Sequence, residues 1–256
     1  MREIRLVTIP GLPLVGPMDP AGFAALIAGA LRSAAAIPAE GDVVAIAQKI
    51  VSKAEGRRVA LDTVPPSDRA RDIAARADKD PRVVELILRE SRSILRVTPG
   101  VIITEHNTGV ILANAGIDRS NLEGSDDHAL LLPVDPDASA ARLQEHLSRA
   151  FGVFLGVIIT DSIGRPWRLG TVGTAIGAAG VMALNDLRGT TDLFGRTLQV
   201  SEVAVADSLA AAAVLAMGEA AEGTPLVLVR GGFARHEHGR QTARNALRPA
   251  DEDLFR

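Results

Sequence analysis

The chain of 256 residues contains no cysteine, which excludes disulfides, thiolate metal sites and thiol nucleophiles. Any bound metal must be held by oxygen or by histidine. Aromatic residues are only 3% of the chain, while aliphatic residues and alanine are plentiful and spread along it, so the composition points to an ordered protein with an aliphatic core. No segment offers the roughly 20 uninterrupted, strongly apolar residues of a membrane span. The nearest, LGTVGTAIGAAGVMAL, is rich in glycine and fits a packed interior segment. The net charge is −3 and no long basic stripe occurs, which gives no reason to expect nucleic acid as a partner and leaves a small anion open. There is no GxxxxGK[ST] loop and no GxGxxG after a strand, and the glycines of GTVGTAIGAAG fit neither spacing. The five histidines show no zinc-binding spacing, and none is assigned a catalytic role. Charges at positions 2, 3 and 5 ahead of a short β-rich run suit a first strand and not a signal peptide, so the expected location is the cytoplasm.

What is present alternates between strand-like and helix-like stretches. Residues 4–9 read as a strand, 21–35 as a helix, and DVVAIAQKIVSK (42–53) as a strand running into a helix. Residues 61–82 read as a charged loop and a solvated helix, and 81–92 as a further helix. RVTPGVIITE and TGVILANAG read as two strands turning at HNTG, and ALLLPVD as another strand. A helix is expected over 138–151, a strand over 153–160, the best helix of the chain over 201–220, and a last strand at LVLVR. The strand runs cluster as hairpins and lack regular βαβ spacing, so the predicted class is α+β with mixed or antiparallel sheets.

Acidic residues recur where these elements stop. NAGIDRSN places Asp118 and Asn121 after one apolar strand, TDSIGR places Asp161 and Ser162 after another, and MGEAAEG places Glu219 and Glu222 after the longest helix. Each acid alone reads as a cap or a solvated turn. Together they can assemble one oxygen-lined site of the kind Mg²⁺ and Mn²⁺ take, with phosphates and water completing the shell.

VVAIAQKIVSKAEGR, GVILANAGIDRSN, ITDSIGRPWRLGTVGTAIGAAG, DLFGRTL and MGEAAEGTP, in this order and at these separations, resemble the F420-0:γ-glutamyl ligase family over essentially the whole chain. The resemblance implies a GTP-dependent ligase that joins L-glutamate to the terminal carboxylate of coenzyme F420-0 and can extend the tail further. It implies one ligase domain over residues 1–256, with room for two intertwined subdomains at an unassigned boundary, and an intertwined homodimer. The form it implies is the stand-alone one, without the nitroreductase-like domain that follows in the mycobacterial enzyme. By motif position the divalent-metal ligands, for two ions, are Asp118, Asp161, Ser162 and Glu219, with potassium as an optional further cation. GTP contacts fall on Leu12, Pro13, Leu14 and Val15, on Gln48 and Lys53, on Asn121, and on the turn Met217, Gly218, Glu219, Ala220, Ala221, Glu222, Gly223 and Thr224. Three positions depart from the family habit: Ser162 replaces threonine, Glu219 replaces a common glutamine, and Gln48 replaces serine or threonine.

The implied chemistry accounts for these residue types. A carboxylate reacts with an amine only after phosphorylation to an acyl phosphate, and two anions must meet in that step. Metal ions across the β- and γ-phosphates offset the repulsion. Asp118, Asp161 and Lys53 are the candidate catalytic residues, the lysine as a point charge for phosphate. Arg165 and Arg168, flanking the only tryptophan, Trp167, are candidates for the phosphate, carboxylate and flat ring of F420-0. They can equally serve packing and ion pairs. Two rival functions stay open: a metal-dependent phosphotransferase or hydrolase on a related substrate, and a non-catalytic F420-binding protein.

Overall fold

The computed structural model describes residues 3–120, 127–238 and 241–254. Its centre is a five-stranded mixed sheet built from β1 (Arg5–Ile9), β2 (Val43–Ala47), β8 (Gly156–Gly164), β9 (Thr171–Ala179) and β12 (Leu226–Arg230), in the order β1-β12-β2-β8-β9. Only β2 and β8 run parallel; the other three pairings are antiparallel. The central strands are apolar on both faces because both faces are covered. Val44, Ile46, Val157, Ile159 and Leu228 pack with α1 (Pro20–Ser33), α2 (Gln48–Ala54) and α5 (Pro136–Phe151) in one core cluster. Val43, Ala45, Ile158, Val227 and Val229 alternate with them and pack against α6 (Val205–Met217) in a second. Each such buried aliphatic side chain contributes about 1.5–3 kcal/mol.

A third core lies apart from these. There α3 (Asp68–Ala77) and α4 (Pro81–Arg89) bury Ile73, Val84 and Ile87 with Ile102 of β5 (Val101–His106). β5 pairs on one side with β4 (Ser91–Thr98) and on the other with β6 (Ile111–Ala113). Two short antiparallel ribbons complete the described residues: β3 (Arg58–Ala60) with β7 (His128–Leu130), and β10 (Leu184–Asp186) with β11 (Glu202–Ala204). The class is thus α+β, as the hairpin clustering predicts. Among the described residues no helix is long and apolar enough to cross a membrane.

Three local readings are corrected. RVTPGVIITE is not one strand but the hairpin β4-β5: Pro99 supplies no N–H, and Gly100 takes the left-handed turn position at φ +83. SEVA does not open the long helix, because residues 202–204 pair with β10 and α6 begins at Val205. TDSIG does not follow a strand but lies inside β8, which pairs with β9 out to Gly164↔Thr171. The glycine-rich stretch is β9, and its glycines have a packing reason. A Cβ on Gly173 would sit 2.5 Å from the Ala210 carbonyl oxygen of α6, and one on Gly177 would strike Pro136 at the start of α5. Both helices approach the strand closely only because those side chains are absent.

Candidate active site

β2 and β8 deliver their carboxyl ends to one place, where Ala47 lies opposite Thr160. Beyond that pair, Gln48 and Lys49 open α2 while Asp161 and Ser162 continue β8. A register shift between Ile159 and Thr160 interrupts the β8-β9 ladder immediately before the acid, a bulge that re-aims the following side chains. α6 stops at the same spot because Gly218 takes φ +78, and the turn 217–224 leads back into β12. With the loop 12–15, these segments enclose a cleft of about 480 Å³. Its walls include Leu12, Pro13, Leu14, Val15, Gln48, Lys53, Asp161, Ser162 and every residue from Met217 to Thr224. Four separate sequence segments predicted to meet a nucleotide or metal therefore face one cavity.

The turn is held by its own side chains. Thr224 donates its hydroxyl to the Met217 carbonyl at 2.7 Å, and Glu222 accepts from the Ala220 N–H at 2.8 Å. Gly218 is required twice, by its positive φ and because a Cβ there would run into the Glu222 carboxylate. Glu222 thus serves the turn, which fits the plain cap reading of that acid, whereas Glu219 reaches across to β8. Ser162 Oγ donates to Glu219 Oε1 at 2.5 Å. Gln48 is buried and its amide oxygen accepts from Ser52 Oγ at 2.9 Å, so this position is spent partly on internal bonding.

Asp118 stands behind the cleft wall. It follows a rare run of left-handed residues, Asn114 (φ 53), Ala115 (φ 53) and Gly116 (φ 67), and its backbone exchanges hydrogen bonds with Leu130. Such backbone costs on the order of 1–3 kcal/mol per non-glycine residue and persists where the surroundings enforce it; here Ala115 is fully buried, and Asn114 Oδ1 accepts from the Ile102 N–H at 3.1 Å. The Asp118 carboxylate meets Lys49 Nζ at 2.5 Å and accepts from the Ser120 N–H at 2.7 Å, while Lys49 also donates to Ser120 Oγ at 2.9 Å. Lys49 in turn lines the cleft.

The two aspartates are driven in opposite directions. Burial raises the Asp118 carboxyl, but the Lys49 ammonium and the Ser120 donors outweigh it and leave the group below its ordinary value. Among the described residues one donor compensates Asp161, the Ser162 N–H at 2.9 Å. Burial pushes it up to about 6, with Asp118 and Glu219 adding to the rise and Lys49 opposing it. Asp161 therefore feels the charge of both Asp118 and Glu219. Among the described residues no three acidic or histidine side chains converge closely enough to cage a cation. The donor chemistry nevertheless suits a hard dication of the Mg²⁺ kind, which takes one or two carboxylates and completes its shell with phosphate and water.

Arg165, Trp167 and Arg168 do not line this cleft. They occupy the tip joining β8 to β9, where Trp167 is 86% exposed with φ +65 and Arg165 Nη1 donates to the Gly170 carbonyl at 3.0 Å. Asn121 lies outside the described residues. The residue that motif reading passed over is Lys49. The signal was within AQKIVSK: Lys49 and Lys53 are four apart on one helix and share a face.

Comparison with known proteins shows the family. A model of the family F420-0:Gamma-glutamyl ligase matches residues 12–231. The coenzyme F420:L-glutamate ligase of Methanothermobacter thermautotrophicus is 46% identical over 256 residues, covering 99% of each chain. The protein of the same name from Methanopyrus kandleri is 52% identical over 85% of this chain and 86% of its own, and that of Archaeoglobus fulgidus is 40% identical over 99% and 97%. The chain belongs to the F420-0:γ-glutamyl ligase family.

Proposed function

We propose that the protein forms an amide between the amine of L-glutamate and the terminal carboxylate of coenzyme F420-0, using GTP, and can add further γ-linked glutamates. The observation that carries this is the meeting of the loop 12–15, the start of α2, the acidic stretch of β8 and the turn 217–224 around one cleft, in a chain whose full-length relatives are named for this ligation.

In this reading the cleft takes the nucleotide, with the loop 12–15 and the turn 217–224 against it and Lys53 supplying charge to its phosphates. The carboxylate of F420-0 attacks the γ-phosphorus; the bond to the β-phosphate oxygen breaks and GDP leaves. The amine of glutamate then attacks the acyl carbon, phosphate departs and the nitrogen loses a proton. Asp118, Asp161, Ser162 and Glu219 would hold divalent Mg²⁺ or Mn²⁺, which when bound neutralises phosphate charge as the two anions approach. Asp161 must be ionised for that role. Lys49 holds Asp118 in place through the direct ion pair, and can pass its charge to phosphate when a cation takes the carboxylate.

The reading extends to assembly. The β8-β9 tip and the loop between β10 and β11 expose Trp167, Leu169, Leu193, Phe194 and Val200, all at least 85% accessible. An intertwined homodimer would cover such surface, and would bring Arg165, Trp167 and Arg168 to F420-0 across the subunit boundary. Mass spectrometry of F420-0 incubated with the protein, GTP, Mn²⁺ and glutamate tests the reaction: the product is expected to gain a glutamyl residue only when all are present. GTP turnover independent of glutamate would point to a phosphotransferase or hydrolase, and binding of F420-0 without turnover to a carrier; either overturns the proposal.

A further inference from the structure

β9 is an edge strand of the central sheet, and two of its N–H groups are taken by side chains of the helices that flank it. Ala178 N–H donates to Asp137 Oδ1 at 2.9 Å, at the start of α5, and Ala175 N–H donates to Asp207 Oδ1 at 3.0 Å, in the first turn of α6. These two N–H groups are an odd number of residues apart. In a regular strand such groups point to opposite edges, so both can leave the ladder only if one extra residue lies between them. The register supplies it: Gly177 pairs with Ile159 and Ala175 with Thr160, which leaves Ile176 over. The side chains record the same step. Ala175 and Ala178 pack on the α6 side, whereas Ile176 joins the α5 side and the vacant Cβ position of Gly177 points at Pro136 on that side too. Two consecutive residues thus share a face, as a one-residue bulge requires.

The bulge decides what α6 meets. Beyond it Gly173 lies under the helix, where a Cβ would stand 2.5 Å from the Ala210 carbonyl oxygen and would also strike Val214. Without the extra residue the alternation would reverse over 171–175, and Val172 and Thr174 would face the helix and hold it away from the sheet. Asp207, Ala210 and Val214 follow at helical spacing on one face of α6. The residue that holds the bulge therefore belongs to the helix whose close approach the bulge permits. The far end of that helix meets the acidic centre: Met217 Sδ accepts from the Thr160 hydroxyl at 4.0 Å, and Glu219 Oε1 accepts from that of Ser162 at 2.5 Å.

We infer that Asp207 is a positioning residue for the cation-binding acids: through the Ala175 N–H its carboxylate fixes the bulge at Ile176, and so sets the depth at which α6 presents Glu219 to Ser162. The inference rests on the ligase reading above and adds to it a residue outside the lining of the cleft. The contact asks for an oxygen acceptor and not for a charge, since burial raises the Asp207 carboxyl and what opposes the rise is a backbone N–H.

The test compares the wild-type chain with Asp207→Ala and Asp207→Asn. Mn²⁺ binding in the presence of GTP is read from the electron paramagnetic resonance of the free ion, and kcat and KM are measured on the same proteins. Asp207→Ala is expected to weaken Mn²⁺ binding about tenfold and to lower kcat by a similar factor, with the KM for F420-0 changed by less than about twofold. Asp207→Asn keeps an oxygen that accepts from the Ala175 N–H, and is expected to stay within about twofold of the wild type in both. In a Glu219→Ala background, Asp207→Ala is expected to weaken Mn²⁺ binding by less than about twofold further, because it acts through Glu219. Asp207→Glu moves the carboxylate by one methylene; a several-fold weakening is expected, and this variant decides the matter if Asp207→Ala does not fold. A lowered melting temperature with wild-type Mn²⁺ affinity and kcat makes Asp207 merely structural and overturns the inference. An equal loss in the Glu219→Ala background, an inactive Asp207→Asn or a wild-type protein that binds no Mn²⁺ overturns it as well. If the wild-type protein binds Mn²⁺ with this dependence on Asp207 yet forms no glutamyl product, the ligase reading fails and the positioning role stands.

Discussion

The two halves of the β8-β9 hairpin come from one uninterrupted motif, TDSIGRPWRLG, and end in opposite environments. At its inner half Asp161 is desolvated and feels the charge of Asp118 and Glu219, with the Ser162 N–H and the Lys49 ammonium opposing the cost. At its tip, a few residues on, Trp167 is 86% and Leu169 99% exposed, and Arg165 satisfies itself on the Gly170 carbonyl. Contiguity in sequence therefore does not mean one site. The inner half holds an arrangement that is costly in the isolated fold and useful only when positive charge arrives. The tip holds groups that cost little and act only if a partner or substrate reaches them.

The sharpest way to break this contrast is Asp161→Asn. Ligation is expected to fall by about a hundredfold or more, since even outer partners of metal ligands are worth 10–100-fold. The same change is expected to raise the melting temperature of the metal-free protein at pH 7.5. A carboxyl raised from 3.8 to about 6 binds its proton more tightly in the folded than in the unfolded chain. Its ionisation thus costs folding free energy, in full above about pH 6, and the cost disappears as pH falls towards 3.8. The gain is up to about 3 kcal/mol, or several degrees, and vanishes at pH 4. Melting curves at both pH values check it; an Asp161→Asn protein that is active, or less stable at pH 7.5, removes the strained-acid account.

Gly173→Val probes what places the inner half. The added Cβ would meet the Ala210 carbonyl at 2.5 Å and Val214 nearly as closely, so α6 must shift away from β9. The expected destabilisation is about 1–3 kcal/mol, read by denaturant titration. Since α6 carries Glu219 at its end, F420-0 turnover should fall with it. Gly164→Val, with nothing near its Cβ, should leave stability within about 0.5 kcal/mol apart from its strand preference.

Much of this was legible beforehand, for identifiable reasons. DVVAIAQKIVSK announces a strand passing into a helix because its apolar period changes, and the acids at Asp118, Asp161 and Glu219 stand out against an aliphatic sequence. What escaped was set by tertiary pairing. SEVA has helical composition but finds β10 as a partner, and TDSIG looks like a turn yet is held in β8 by β9. Lys49 escaped because its role depends on Asp118, 69 positions away in sequence, coming within 2.5 Å.

Lys49→Met tests that escaped contact. The loss of the ion pair leaves Asp118 with the Ser120 donors, so its carboxyl moves upward and it competes less well for a cation near neutral pH. The apparent affinity for Mn²⁺ is expected to weaken by about tenfold if the ammonium serves to keep Asp118 ionised and aimed. If instead Lys49 merely blocks the carboxylate, affinity for Mn²⁺ rises, and the positioning role is wrong.

The smallest effects are expected at the tip. Arg168→Lys keeps the charge and loses the planar fork, and Trp167→Ala removes a ring that is 86% exposed. Each is expected to raise the KM for F420-0 by no more than about threefold, or roughly 0.6 kcal/mol. Sedimentation of the same variants separates the two ways a tip can matter. A KM change with the assembly intact means the tip touches substrate; a change that accompanies dissociation means it holds the subunits together. A tip effect as large as that of Asp161→Asn would reverse the comparison, making the exposed end of the motif as necessary to turnover as its inner half.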